Sequence, residues 1–140
     1  MTITEQKAAQ RKAGIAARRA LSDTQRTRSN AALCARIMAL DCFKKAENIL
    51  LYAAFGGEAD LSTLAVEAAR QGKTLAYPVC GEGFSLTAAV PGPDGWEVGT
   101  YGIRTPILSR SAVLPPDKLD LVLVPCTAFD ADCHRVGMGK

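Results

Sequence analysis

A strand–helix–strand pattern in the middle of the chain constrains the fold most. Residues 48–55 form an apolar run that predicts a buried strand, ended by Gly56 and Gly57. A helix is predicted from Asp60 or Ser62 to about residue 71, and residues 74–79 predict the next strand. Because a helix that links two buried strands normally makes a parallel crossover, the pattern predicts an α/β layered domain with a mainly parallel sheet flanked by helices.

The remaining segments fit around this unit as one domain over residues 1–140. The Gly- and Pro-rich residues 81–99 predict short antiparallel strands, residues 101–106 a loop, and residues 108–118 a connector. Residues 119–124 are again apolar and predict a strand buried on both faces, which Pro125 ends. A length of 140 residues suits one domain with a real core.

Two helices are predicted before the first strand. Thr2 with Glu5, and Ser22 with Gln25, have the spacing of capping boxes that begin helices. The first helix is rich in alanine, so we expect it to be weakly anchored by its own apolar face. The second helix has apolar residues at core spacing, namely Leu33, Ile37 and Leu40.

Charge is unevenly distributed along the chain. The net charge is +3, but residues 1–45 carry ten Lys/Arg against three Asp/Glu, and the rest carry seven against eleven. Lys7, Arg11 and Arg18 fall on one face of the first helix. This stripe is either a solvated face or a site for phosphate on a small molecule or on nucleic acid.

The cysteine pattern indicates the redox state of the compartment in which the protein folds. Five cysteines without a C-x-x-C pair favour reduced thiols in a cytoplasm over a disulfide framework or a zinc site. The chain has no apolar run long enough for a membrane span and begins without the apolar segment of a secretory signal. We therefore expect a cytoplasmic protein.

The last residues carry the clearest sequence signal of a ligand-binding loop. Arg135 precedes Gly137, Gly139 and Lys140, and a glycine-spaced loop after a strand can place backbone N–H groups against phosphate. It is not a Walker A loop, because His134 stands where the first glycine would be needed. A solvated terminal loop is the alternative.

For the other candidate residues, a structural or surface role is as reasonable as a role in binding. Glu58 follows a strand, where α/β proteins bind ligands, but it also suits a solvated turn. His134 is the only histidine and has no Ser or Cys tied to it by a motif, so a surface role is the simpler interpretation. Trp96 and Tyr101 could stack on a planar ligand or fill the core.

Taken in order, these pieces resemble the 5-formyltetrahydrofolate cyclo-ligase (5,10-methenyltetrahydrofolate synthetase) family. The match runs from the Lys-x-x-x-Arg of Lys7 and Arg11, through the strand and Glu58, to Asp120-Leu-Val-Leu-Val-Pro125 and the 135–140 segment. The resemblance implies the NagB/RpiA/CoA-transferase-like fold. It also implies that the chain stops within the nucleotide-binding loop, before a C-terminal part that includes a magnesium-binding Asp.

The resemblance implies an ATP-dependent ligase of folate one-carbon metabolism that converts 5-formyltetrahydrofolate to 5,10-methenyltetrahydrofolate, with ADP and phosphate as products. Magnesium is the implied metal, its ligand lying after residue 140, and no protein nucleophile is required. The expected partners are these two small molecules, with neither nucleic acid nor membrane, and the protein is expected to be a monomer.

The resemblance also assigns site residues. The implied folate contacts are Ala53, Phe55, Glu58 and Tyr101, and the implied ATP contacts are Lys7, Arg11, Arg135, Val136, Gly137, Met138, Gly139 and Lys140. Two alternatives stay open. One is a non-catalytic basic module that binds RNA or an acidic partner. The other is a truncated member that binds a ligand without turnover.

Overall fold

The computed structural model describes residues 1–138, so Gly139 and Lys140 lie outside it. Its α-helices are α1 (Ile3–Arg19), α2 (Asp23–Met38), α3 (Asp41–Lys45) and α4 (Ser62–Arg70). Its strands are β1 (Asn48–Leu50), β2 (Thr74–Cys80), β3 (Leu86–Pro91), β4 (Trp96–Val98), β5 (Arg104–Pro106), β6 (Ser111–Leu114), β7 (Leu121–Val122), β8 (Ala128–Phe129) and β9 (Arg135–Val136). None of the described helices is long and apolar enough to cross a membrane.

The central sheet has five strands in the order β6-β3-β2-β1-β7. Strand β1 pairs in parallel with β2 and β7, whereas β2–β3 and β3–β6 are antiparallel. The prediction of a mainly parallel sheet is therefore wrong, and the sheet is mixed. Only residues 81–85 separate β2 from β3, which is too short for the crossover that a parallel pair requires.

Segments predicted as irregular contain strands. Strand β5 lies in the predicted loop at 101–106 and pairs with β4, and β6 lies in the predicted connector and pairs with β3. The predicted first strand is in turn shorter, since β1 ends at Leu50 and the chain leaves the sheet after Leu51 donates to the Ala76 carbonyl at 2.8 Å. The prediction at 74–79 is confirmed by β2.

Strand β7 is an edge strand and is not buried on both faces as predicted. Its side chains alternate between half-buried and exposed, and Val122 and Val124 are 47% and 50% exposed. The side chains of this apolar run are partly exposed to solvent because, among the described residues, β7 pairs only with β1.

The core lies between the sheet and helices α2, α3 and α4. Its fully buried side chains include Phe43, Ile49, Leu51 and Leu64. Of the three apolar residues expected to bury α2, Ile37 packs against this core, whereas Leu33 and Leu40 are 37% and 52% exposed. Cys34 takes the fully buried position on that helix.

Both predicted capping boxes are present, at Thr2 with Glu5 and at Ser22 with Gln25. Helix α1 has no buried residue, as its alanine-rich sequence suggested. It is held instead by a close backbone approach and by its arginines. A Cβ placed on Gly14 would lie 2.1 Å from the carbonyl oxygen of Thr127.

Asp120 ties the edge strand to its neighbour, and this gives a pH prediction. Its Oδ2 accepts from the backbone N–H groups of Asn48 at 2.9 Å and Glu47 at 3.0 Å, and these bonds lower the carboxyl pKa. The stabilisation is then present above the ordinary pKa of about 4 and is lost as pH falls through the lower folded pKa. We expect Asp120→Ala to lower the free energy of unfolding at neutral pH.

Urea unfolding of wild type and variant between neutral and acid pH measures this effect. The difference between the two proteins should stay constant above about pH 5 and shrink in more acid solution. Asp117→Ala, at an exposed carboxyl on the preceding turn, is the control and should change little. A difference that grows with acidity would contradict the assignment.

Candidate functional site

A large cleft lies where the α1–α2 hairpin faces the carboxyl ends of β1 and β7. Its volume is about 770 Å³. The sequence delivers three segments to it, because β1 and β7 are parallel neighbours whose following loops leave the same edge of the sheet. The lining includes Arg18 and Arg26 from the helices, Tyr52, Glu58 and Asp60 from the loop after β1, and residues 124–129 after β7.

Two guanidinium groups form the basic side of this cleft. Arg18 Nη2 donates to the Cys126 carbonyl at 3.1 Å, and Arg26 Nη2 donates to the Arg18 carbonyl at 2.6 Å. Gly57, at φ +81°, packs under both side chains, and a Cβ there would lie 2.9 Å from Arg26 Nη1. The arginines are thereby held in place on one side of the cleft.

Hydrogen bonds shape the opposite side. Glu58 Oε1 accepts from the Phe55 backbone N–H at 2.9 Å, and the Tyr52 hydroxyl donates to the Ala59 carbonyl at 2.7 Å. Burial, followed by the negative charge of Glu58, raises the Tyr52 pKa to about 12. Tyr52 is therefore a neutral hydroxyl at pH 7 that fixes the loop, and it does not serve as a base.

The Tyr52 environment predicts a loss of stability in alkali. The neutral phenol is favoured in the folded state, so its contribution is intact below the ordinary pKa of about 10 and is lost as pH rises toward 12. Tyr52→Phe should lower the free energy of unfolding by about 1 kcal/mol at neutral pH through the lost hydrogen bond. It should also make the decline above pH 10 shallower.

Unfolding midpoints measured from neutral pH into alkali check both effects. Tyr101→Phe is the matched control, because Tyr101 is 65% exposed on a turn. A variant that declines as steeply as wild type above about pH 10 would contradict the role given to Tyr52.

A smaller pocket of about 220 Å³ lies on the other side of the same loop. Tyr77 and Trp96 meet edge-to-face with ring centroids 4.7 Å apart, and the Arg104 guanidinium lies 4.5 Å from the Trp96 centroid. Ala53 and Phe55 line this pocket. Its lining combines aromatic side chains with polar groups, a mixture that suits a polar aromatic ring.

The C-terminal hairpin β8–β9 contacts α1. Arg11 Nε donates to the Gly137 carbonyl at 2.8 Å, and Arg135 Nη1 donates to the Pro125 carbonyl at 3.2 Å. Val136 pairs with Ala128 in the hairpin. The basic helix and the glycine-spaced segment are thus neighbours although 126 residues separate Arg11 from Gly137.

The turn of this hairpin holds three potential metal ligands. Donor atoms of Asp130, Asp132 and His134 lie within 4.8 Å of one another, and all three residues are exposed. His134 Nδ1 lies 2.9 Å from Asp130 Oδ2, and this contact lowers the Asp130 pKa. A set with an imidazole fits Mg²⁺ poorly, since that ion prefers oxygen ligands.

The sequence profile of the 5-formyltetrahydrofolate cyclo-ligase family matches residues 3–140. The chain belongs to this family. The resemblance inferred from the sequence is therefore confirmed.

Relatives and solved structures agree with that family. A 5-formyltetrahydrofolate cyclo-ligase of Haemophilus influenzae is 31% identical over 99 residues, which are 69% of this chain and 53% of the relative. The Escherichia coli K12 enzyme of the same name is 29% identical over 125 residues, 87% of this chain and 69% of the relative. The chain thus spans about half to two thirds of the length of these relatives.

An NMR structure of Aquifex aeolicus 5,10-methenyltetrahydrofolate synthetase superimposes with a TM-score of 0.82 at 32% identity, covering 96% of this chain and 68% of that one. A Mycoplasma pneumoniae synthetase gives a TM-score of 0.74 at 18% identity, covering 95% and 71%, and shows the shared fold. The mixed α/β architecture is that of methenyltetrahydrofolate synthetase structures.

The family's implied residues fall into three groups in space. Arg11, Arg135, Val136 and Gly137 come together where α1 meets the hairpin, with exposed Lys7 one turn before Arg11 and Met138 44% exposed beside Gly137. Glu58 lines the large cleft, and Ala53 and Phe55 line the smaller pocket. Tyr101, at φ +63°, stands next to Gly102 of that pocket but does not itself line it.

Sequence reasoning missed several residues that line the cavities. Arg26 and Asn30 in the cleft carry no motif, and Asp60 is predicted only as a helix cap. Arg104, beside Trp96 in the smaller pocket, also carries no motif. Arg18 was noticed only as part of a charge stripe. The helical spacing of Arg18 from Arg11 was the one usable signal, since seven residues return to the same face.

Proposed function

We propose that the protein catalyses the ATP-dependent cyclisation of 5-formyltetrahydrofolate to 5,10-methenyltetrahydrofolate, releasing ADP and phosphate. Family membership supports the reaction class. The observation that carries the proposal is the Arg11–Gly137 hydrogen bond, which joins the basic helix to the glycine-spaced segment beside the cleft that Glu58 lines.

The proposed chemistry needs positioning and charge neutralisation. The formyl oxygen attacks the γ-phosphorus, forming an O–P bond while the bond to ADP breaks. The nitrogen at position 10 then attacks the formyl carbon, loses its proton, and displaces phosphate together with the formyl oxygen. No protein nucleophile takes part, because phosphoryl transfer rests on orientation and electrostatic stabilisation.

We assign roles to this chain's residues accordingly. Lys7, Arg11 and Arg135 would neutralise ATP phosphates, and the backbone N–H groups of residues 136–140 would complete that site. Glu58 would accept hydrogen bonds from folate N–H groups, with Ala53 and Phe55 against the ring system and Tyr101 at its edge. Mg²⁺, when bound, supplies further neutralisation of phosphate charge.

The finer expectations belong to the same proposal. We infer a monomeric cytoplasmic enzyme of folate one-carbon metabolism, with the NagB/RpiA/CoA-transferase-like arrangement of its layers. Five free cysteines support a reducing compartment.

A direct assay tests the reaction. The chain is incubated with 5-formyltetrahydrofolate and Mg-ATP, with the E. coli relative as a positive control. We expect the methenyl chromophore to develop and ADP to form in equal amount. Absence of the chromophore with ATP intact, while the E. coli enzyme turns over, would refute catalysis by this chain.

Two other outcomes correspond to the alternatives. Binding of folate or ATP by calorimetry, without the chromophore, would identify a member that binds ligand without turnover. RNA binding that weakens steeply with salt and ignores both ligands would indicate a basic module. The family match does not favour the latter, and Arg18 and Arg26 point their charge into the cleft.

A further inference from the structure

Arg18 and Arg26 are two half-buried cations without a carboxylate partner in residues 1–138. The ion pairs within that range are Glu67–Arg70 and Asp130–His134, and neither involves the cleft. Both side chains lie against Gly57 and line the same cleft, so their like charges repel each other, and partial burial strengthens the repulsion. Such repulsion is relieved most simply by an anion that both guanidinium groups bind.

The two acidic groups of the same cleft accept hydrogen bonds from their own loop. Glu58 accepts from the Phe55 backbone, and Asp60 Oδ1 accepts from the Ser62 N–H at 2.8 Å and from the Ser62 hydroxyl. The carboxylates thus stabilise the loop, whereas within residues 1–138 the two arginines donate to carbonyl oxygens and not to carboxylates. The carbonyl contacts of Arg18 and Arg26 fix the side chains in advance, which lowers the entropic cost of binding a ligand.

We propose that Arg18 and Arg26 form an oxyanion-binding pair for a carboxylate or phosphate group of a substrate. The inference rests on the proposed function and adds a second anion site to it. Arg18 lies seven residues beyond Arg11, a rise of about 10 Å along α1. The two sites are therefore separate, and an anion at the pair is either the glutamyl tail of the folate or a phosphate of ATP.

The test compares Arg18→Met and Arg26→Met with Arg19→Met and Arg28→Met. The control arginines lie on the same helices and are exposed. Calorimetric titration of each full chain uses three ligands: 5-formyltetrahydrofolate, its analogue with both glutamyl carboxylates converted to neutral amides, and ATP. Losing one charge-assisted hydrogen-bonded contact should raise the Kd about 10- to 100-fold for the ligand that supplies the anion.

The three ligands distinguish a glutamyl carboxylate from an ATP phosphate as the bound anion. Weakened folate binding, with the analogue and ATP unchanged, assigns the pair to the glutamyl carboxylates. Weakened ATP binding alone assigns it to phosphate. Equal Kd values in cleft and control variants, for every ligand, would overturn the inference and leave the proposed function standing.

Failure of the proposed function has a different signature. A wild-type chain that makes no chromophore, but whose ligand binding still depends on Arg18 and Arg26, refutes turnover and supports the pair. A wild-type chain that binds neither folate nor ATP refutes both. Arg18→Lys guards against a folding defect, since it retains the charge and loses the forked guanidinium, and it should weaken binding less than Arg18→Met.

Discussion

Gly14→Ala should destabilise this protein, although glycine-to-alanine changes inside helices usually stabilise. Helix propensity alone favours alanine by about 0.5–1 kcal/mol. In this chain the new Cβ would lie 2.1 Å from the Thr127 carbonyl oxygen, a distance at which one backbone must move. Overpacking of that kind costs about 1–3 kcal/mol, so we expect a net loss.

The loss should concentrate on the docking of α1. That helix has no buried residue, so its position depends on the Gly14 approach and on contacts such as Arg11–Gly137 and Arg18–Cys126. Hydrogen exchange of α1 amides and urea unfolding measure the local and the global effects. We expect faster exchange in α1 and a reduced affinity for ATP.

Ala13→Gly is the control for Gly14→Ala. It lies at the adjacent exposed position and should cost about 0.5–1 kcal/mol through propensity alone, leaving the docking contacts intact. If Gly14→Ala raises the unfolding midpoint, the close approach to Thr127 is not a feature of the protein in solution.

Arg11→Ala should have the largest effect on activity. Its guanidinium is half-buried and bonded to the Gly137 carbonyl, so the side chain both fixes the hairpin and presents charge beside it. Removal of a charged hydrogen-bonding group costs about 1.5–3 kcal/mol. We expect the KM for ATP to rise about 10- to 100-fold, with a much smaller change in the KM for folate.

Initial rates of chromophore formation, with each substrate varied in turn, give the KM for ATP and the KM for folate separately. Lys12→Ala removes the next positive charge on α1 from an exposed position and should leave both constants nearly unchanged. Equal increases in both constants for Arg11→Ala would mean that the residue maintains the fold rather than the ATP site. Lys140→Ala should mirror Arg11→Ala, and it tests a residue outside the described range.

Local signals predicted those elements whose ends are set by neighbouring residues. The capping boxes at Thr2 and Ser22 begin α1 and α2 because side chain and backbone lie three residues apart. Likewise, β2 follows Gly72, whose φ of +82° ends the preceding helix as expected for a C′ glycine.

Elements that depend on distant pairing were predicted poorly. Strand β6 exists because it aligns with β3, and its own residues carry the exposed Val113 and a following proline pair that suggested a connector. Conversely, the apolar run at 119–124 predicted a strand buried on both faces, whereas β7 is a partly exposed edge strand. Neighbours in the sheet decide burial, and a strand's own sequence does not identify them.

Residue types at fixed short spacings were enough to predict the family and the two capped helices, and to single out Arg11, Glu58 and a glycine-spaced segment. The shared cleft of Arg18, Arg26 and Glu58, and the bond from Arg11 to Gly137, could be found only in three dimensions. Parallel pairing of β1 with β7 brings together loops about 70 residues apart, and no local pattern encodes such a contact.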